Sequence, residues 1–290
     1  MPFTVEQHHV LKYADDVQAA YQQDGARTRE CVTMKTNIVG KSFSTNDIGV
    51  IEAATKDSRH EQHAHQNPEH TVRWGNLTYY YNSIMMDRDD DARVLADPKN
   101  QYVMSAAMSL GRRFDRTVLA ALIGTAVTLE DRSGTQALPS AQKVTGSTSA
   151  LTKAKILTAK RLLDEAEVPD GDRYFAISAQ GLEDMLGITE VISSDYNSVK
   201  ALVDGQINTW LGFKWIRTEL LIKGTVAANV RQAIAWHKSA IVAGETSASM
   251  YSRIAKRTDM HDAWECYAAL DMGAVRKRDK GVVEVHYLES

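Results

Sequence analysis

Four histidines, His60, His63, His65 and His70, fall close together in the first quarter of the chain. Imidazole nitrogens are common ligands for transition metals and titrate near neutral pH, so this is the segment where metal chemistry is looked for first. His60-Glu61-Gln62-His63 is one residue short of the helical zinc-protease pattern, which needs its two histidines four apart on one helix face. His63-Ala64-His65 sets two rings on one face of a strand. One reading is therefore a metal-dependent enzyme built on His60–His70. The other is a solvated or intersubunit loop, which the absence of any motif-level spacing favours. The run Asp87-Arg88-Asp89-Asp90-Asp91 could gather a divalent cation. It lacks the glycine and the distal glutamate of a calcium loop, and reads as solvated charge ahead of a helix. His8-His9 reads as surface. Cys31 and Cys266 are the two cysteines, too few and too far apart for a disulfide framework or a cysteine-only metal site. No Gly-x-Gly-x-x-Gly, phosphate-binding loop or Gly-x-Ser-x-Gly elbow is present. We expect no catalytic, cofactor-binding or metal site.

The bulk properties narrow the classes. The chain has 290 residues, 43% hydrophobic and 24% charged, enough for one large domain or two intimately joined ones. With 34 basic and 37 acidic residues the formal charge is -3. A protein that grips nucleic acid carries a basic excess, so any contact with DNA is expected to be weak, local and non-specific. No apolar run is long enough to span a membrane, and Met1-Pro2-Phe3-Thr4-Val5-Glu6 does not open a secretory signal.

The elements that position these residues can be read from periodicity. Residues 5–24 form an amphipathic helix with Val10, Tyr13 or Ala14, Val17 and Tyr21 on one face, stopped at Asp24-Gly25. Residues 27–32 read as extended. Residues 41–86 look like a long β-hairpin, with residues 50–55 as one arm and Thr71-Val72-Arg73-Trp74 continuing through Leu77-Thr78-Tyr79-Tyr80-Tyr81 as the other. Residues 56–70 between them contain one alanine and no larger aliphatic side chain, so the tip has nothing to bury. Asp97 and Pro98 open a long helix whose stripe is Val103, Ala107, Leu110, Phe114, Val118 and Ala121, ending at Gly124. A turn-rich link over 125–149 precedes a helix over 151–168. Then come a strand over 174–177, a helix capped by Ser178, a strand around Leu211, Phe213 and Trp215, and an apolar strand over 232–243. The tail closes with residues 263–276, a charged turn at Asp279-Lys280-Gly281, and a strand over 282–287. Trp210, Trp215, Trp236 and Trp264 fall in strand-like segments and read as core. The class is α+β.

The order of these parts resembles the major capsid proteins of tailed bacteriophages, which share their fold with the herpesvirus capsid floor. The resemblance rests on Tyr13-Ala14-Asp15-Asp16-Val17 through Tyr21-Gln22-Gln23, on Arg27-Thr28-Arg29-Glu30-Cys31-Val32, and on Gly111-Arg112-Arg113-Phe114-Asp115-Arg116 leading into Ala120-Ala121-Leu122-Ile123-Gly124. It continues in Val168-Pro169-Asp170-Gly171-Asp172-Arg173-Tyr174-Phe175-Ala176-Ile177-Ser178, Trp210-Leu211-Gly212-Phe213, Ala235-Trp236-His237-Lys238-Ser239-Ala240-Ile241 and Gly273-Ala274-Val275-Arg276. The resemblance implies an N-terminal arm over 1–40, an extended loop over 41–86, a peripheral domain with a spine helix over 87–145, an axial domain over 146–250, and return strands over 251–290. It implies a self-assembling icosahedral shell around a double-stranded DNA phage genome, built from hexamers and pentamers in the bacterial host cytoplasm. The partners it implies are a separate scaffolding protein, a portal, decoration or cement proteins, and weakly contacted DNA, with no membrane. No proteolytic trimming of the arm is expected. One branch of the family joins subunits through lysine–asparagine isopeptide bonds, and Lys56 is the only lysine between positions 42 and 98. No partner pattern for it is recognisable, and we expect no cross-link. An encapsulin-type nanocompartment is an alternative of the same fold, and a tail or other virion structural protein is a third.

Overall fold

The computed structural model describes residues 23, 25–55, 58–59, 62, 65–87, 99–146, 149–187, 209–246 and 251–289. In chain order, a 3-10 turn at Arg29–Cys31 leads into β1 (Thr33–Ile38), β2 (Ser42–Ile48), β3 (His70–Asn76) and β4 (Thr78–Met86). Helix α1 (Lys99–Ile123) is followed by the short strands β5 (Ala126–Thr128), β6 (Gly134–Gln136) and β7 (Lys143–Val144). Then come α2 (Lys153–Glu165), β8 (Arg173–Ile177) and α3 (Ala179–Leu186). The chain ends in strands: β9 (Thr209–Trp210), β10 (Phe213–Arg217), β11 (Val230–His237), β12 (Ile241–Thr246), β13 (Tyr251–Arg257), β14 (Ala263–Arg276) and β15 (Val282–Leu288). The mixed helix and sheet class expected from the sequence is the one observed.

Every residue of β8 is buried, and a strand buried on both faces belongs inside a sheet that is covered twice. It lies in a six-stranded sheet of order β7-β15-β11-β8-β10-β9. On one face, Phe175, Ile177, Ala235, Val285 and Tyr287 pack with Ile156, Ala159 and Leu163 of α2 and Met185 of α3. Ser178 caps α3 as expected: its Oγ accepts from the Gly181 amide at 3.1 Å and lies 2.8 Å from the Tyr287 hydroxyl. On the other face, Tyr174, Ala176, Ile234 and Trp236 share a core with Leu110, Phe114, Val118 and Leu122 of α1 and with Ala268, Leu270 and Met272 of β14.

Strand β14 organises a five-stranded sheet with β1, β4, β12 and β13. Residues Trp264 to Ala269 pair with β4 and with β13 at once, so those two strands flank β14 on opposite edges. Met272 pairs with Thr78 and with Glu245, which puts β12 on the β13 edge. Strand β1 adds parallel to β12. Helix α1, about 37 Å long at 1.5 Å per residue, lies against this sheet. A third sheet, β2-β3-β5-β6, carries the hairpin. A small core joins it to β12 and β14, with Phe43, Ile38, Ala126, Val242 and Val275 buried together. The Phe43 ring fits because Gly75 and Gly244 have no side chain: a Cβ on either would come within 2.4 or 2.5 Å of it.

Several expectations need correction. Residues 50–55 form no strand; the arm that pairs with β3 is Ser42–Ile48, whose register is set by the Leu77 amide bonding to the Lys41 carbonyl at 2.8 Å. Leu77 is a corner, not a continuation, and β4 beyond it joins the five-stranded sheet. Residues 27–32 are not extended throughout, because the Asp115 carboxylate collects the Arg27 and Thr28 amides and the chain turns at Arg29–Cys31. Residues 232–243 are two strands in different sheets, split at Lys238–Ala240, where His237 Nδ1 accepts from the Ser239 amide. The link over 125–149 contains β5, β6 and β7. Leu211 and Gly212 form a turn with φ of 53° and 82°. The expected helix over 5–24, and the helix opening at Asp97 and Pro98, lie outside the described residues.

Candidate assembly surfaces

The hairpin of β2 and β3 is fastened by guanidinium groups at mid-strand and near its outer end. Arg73 of β3 donates twice to the Asp279 carboxylate, at 2.8 Å each, and once to the Arg276 carbonyl at 3.0 Å. Arg276 has no exposed surface and donates to Asp279 at 2.6 Å and to the carbonyls of Leu122, Gly124 and Gln136. One buried arginine thus ties the end of α1 and β6 to β14, and Asp279 ties all of these to the hairpin. Burial alone would raise the Asp279 pKa; hydrogen bonds from Arg73 and Arg276 outweigh it and hold the carboxyl below its ordinary value. Arg278 makes a second bidentate clasp on Asp47 of β2, both contacts 2.6 Å, and this hydrogen bonding lowers the Asp47 pKa. Beyond these clasps Ile48, Gly49 and Val50 line a cavity of about 530 Å³ shared with Ala166, Glu167, Val168 and Pro169. Val50 is 97% exposed, and Ile48 and Ile51 are exposed as well.

The second feature is the entry of the arm. Asp115 on α1 is fully buried and accepts from the amides of Arg27 and Thr28, the Thr28 hydroxyl and the Gln23 side chain. A carboxylate meeting backbone amides in this way replaces the water they would lose. The arm crosses α1 at Gly111, where a Cβ would come 2.7 Å from the Gly25 carbonyl carbon. Downstream, Trp236 Nε1 donates to the Cys31 carbonyl at 2.9 Å, so the first described turn is anchored to two layers.

The third feature is the face of the five-stranded sheet turned away from α1. Tyr81 stacks on Tyr267 with centroids 6.1 Å apart, Tyr251 lies 6.2 Å from Tyr267, and the Tyr79 and Tyr267 hydroxyls are 2.7 Å apart. That hydroxyl contact raises the Tyr267 pKa to about 12. Tyr79, Tyr81 and Tyr251 are each about half exposed or more. Beside them, buried Glu265 accepts from Ser83 and Arg253.

The residues singled out for chemistry are placed as follows. His65 and His70 are exposed, with His70 opposite Ile48 at the outer end of the hairpin pairing. His60 and His63, Lys56, residues 88–91 and His8-His9 lie outside the described residues. Among the described residues no three of His, Cys, Asp and Glu are gathered as a metal set. Asp87 is exposed. Cys31 and Cys266 are both buried, and burial pushes the Cys31 thiol up to about 12, which removes it as a nucleophile at neutral pH. Trp210, Trp215, Trp236 and Trp264 all sit in strands; Trp236 is completely buried and the other three are half-buried. No described helix is long and apolar enough to cross a membrane. The carboxylates and guanidiniums that fasten the hairpin and arm were not legible as a site. The one visible signal was the charged turn at Asp279-Lys280-Gly281.

Proteins of curated function yield no match to this chain. Solved structures do. It superposes on a chain from Mycobacterium phage Che8 with a TM-score of 0.71 at 17% identity, covering 94% of this chain and 95% of that one. A capsid chain of cyanophage P-SCSP1u gives 0.73 at 17% identity over 100% and 96%. A capsid chain of Ralstonia phage GP4 gives 0.72 at 12% identity over 97% and 95%. At these identities the likeness establishes the fold. The family model for phage capsid protein matches residues 5–289, so the chain belongs to the phage capsid protein family and is a shell-forming structural protein.

Proposed function

We propose that this chain is the repeating unit of an icosahedral virion shell around a double-stranded DNA phage genome, assembled in the bacterial host cytoplasm as hexamers and pentamers of itself. The observation that carries this reading is the hairpin: it is clasped through Arg73, Asp279, Arg278 and Asp47, while residues 48–51, which follow the clasp, are apolar or small and exposed. A segment of that kind is completed by a neighbour, and many modest contacts of this sort sum to a stable shell. The division into arm (1–40), extended loop (41–86), peripheral domain (87–145), axial domain (146–250) and return strands (251–290) is part of the same proposal. So are a separate scaffolding protein, a portal and decoration proteins as partners. The formal charge of -3 supports weak, non-specific contact with packaged DNA. Negative-stain microscopy of the purified chain tests the reading. Closed shells, tubes or capsomer rings are expected, and a monodisperse monomer under all assembly conditions would overturn it. Nuclease-resistant DNA inside particles from infected cells separates a genome container from an enzyme-filled compartment of the same fold.

A further inference from the structure

Three arginines from three elements meet around one cavity of about 440 Å³: Arg27 before the first turn, Arg112 of α1 and Arg217 at the end of β10. The Arg27 guanidinium is held there by donating to the Arg217 carbonyl. Glu219 is the one carboxylate that lines the cavity, and it is already engaged. Its Oε1 accepts from the Ala179 amide at 2.6 Å, and its Oε2 pairs with Arg231 at 3.1 Å. Asp115, the acidic residue of α1 nearest in sequence, is fully buried and taken up by Arg27 and Thr28 amides and the Thr28 hydroxyl.

Helix α1 carries the positive surface onward. Arg116 is exposed and stands one turn beyond Arg112, about 6 Å further along the axis. Like charges at this spacing weaken a helix, so the pair costs the subunit stability by itself. Elsewhere on the molecule exposed guanidiniums are matched. Arg29 has Glu245, Arg161 has Glu165, Arg253 has Glu265 and Arg278 has Asp47. Among the described residues, neither Arg116 nor Arg217 has an ionic partner.

A row of arginines kept together without carboxylates calls for an anion from outside. All four are arginine and none is lysine, and the planar guanidinium fork matches two oxygens of one phosphate. The row runs past the cavity along α1, which suits a chain of phosphates better than one small ion. A subunit of net charge -3 repels DNA over most of its surface, so attraction is confined to places of this kind.

We propose that Arg27, Arg112, Arg116 and Arg217 form a local seat for the phosphate backbone of duplex DNA lying against the shell. This rests on the shell reading above and names the surface through which the weak, non-specific contact is made. The unassembled full chain is titrated with a short labelled DNA duplex at low salt and followed by fluorescence anisotropy. Binding is expected, with a salt slope of roughly -0.9 for each phosphate engaged. Arg116→Gln with Arg217→Gln is expected to weaken it at least about fivefold and to lower the slope by about two. Arg161→Gln with Lys280→Gln removes two charges elsewhere and is expected to change affinity less than about twofold. Equal losses from the two pairs would reduce the effect to net charge and overturn the proposal. A readout on the unsubstituted chain is modification by phenylglyoxal, mapped by mass spectrometry. The duplex should shield Arg116 and Arg217 and leave Arg161 reactive, and absence of shielding would overturn the proposal. Polyglutamate that binds more tightly than the duplex and shields the same arginines would assign the surface to an acidic protein and overturn it as well. Normal shells from a chain that binds no duplex would sink this proposal and leave the shell reading standing. Failure of the unsubstituted chain to form particles would instead strike the shell reading.

Discussion

The six-stranded sheet and the hairpin are held by different physics. Around β8 and β11, Phe175, Trp236 and Val283 are completely buried, and helices cover the sheet on both faces. The hairpin has one buried aromatic, Phe43, pairs with β5 through Arg73 and Trp74, and is clasped by Arg73, Arg276, Arg278 and their two aspartates. Apolar burial is non-directional and yields a rigid body when it is complete. A bidentate ion pair is directional and fixes one point while burying little apolar surface. The body is finished within one chain, whereas the hairpin is aimed but not finished. A shell subunit needs both, since the same chain must fit slightly different neighbours.

The sharpest way to break this comparison is Trp236→Ala. It removes the largest fully buried side chain and the hydrogen bond to the Cys31 carbonyl. A loss of about 4 kcal/mol, read as an earlier denaturant midpoint, is expected for the whole chain. Asp279→Ala comes next. It leaves Arg73 and Arg276 without their counter-ion, at a cost of about 3 kcal/mol. The effect should be local: amides of β2 and β3 lose hydrogen-exchange protection while those of β8 and β11 keep theirs. Equal loss in both would mean the two regions unfold as one, and the contrast would disappear.

A pH titration sharpens the same point. Asp47 and Asp279 have folded-state pKa values below their unfolded ones, so their contribution is complete above the unfolded carboxyl value of about 3.9 and is lost as pH falls through the folded values. Pepsin cleavage within residues 42–76 should therefore rise below about pH 4, ahead of cleavage in the six-stranded sheet. The smallest effect is expected from Tyr81→Ala on the exposed tyrosine face, under about 0.5 kcal/mol in the unassembled chain. A large loss there would show that the face belongs to the subunit's own core.

What could be read in the sequence follows the same division. Strand Arg173–Ile177 and the Ser178 cap are local patterns, and both stand where expected. The α1 stripe was legible at Leu110, Phe114 and Val118, but not where Val103 and Ala107 go uncovered, because periodicity reports an apolar face and not what covers it. The hairpin arm was misplaced because β2, Ser-Phe-Ser-Thr-Asn-Asp-Ile, is too polar to announce itself and is fixed by pairing with β3. The fastening site was hidden for a related reason. Arg73 and Asp279 stand 206 positions apart, Asp115 and Thr28 stand 87 apart, and single-sequence reading has no means to join them.

Strands β14 and β15 come after their sheet partners in sequence, yet each lies inside its sheet, and β1 can pair only after β12 exists. A nascent chain that has not reached residue 263 has no central strand in the five-stranded sheet, and one that has not reached 282 lacks an inner strand of the six-stranded one. Long-range pairing of this kind is slow to form. Each of these two sheets is thus completed by the strand that comes last in sequence among its members.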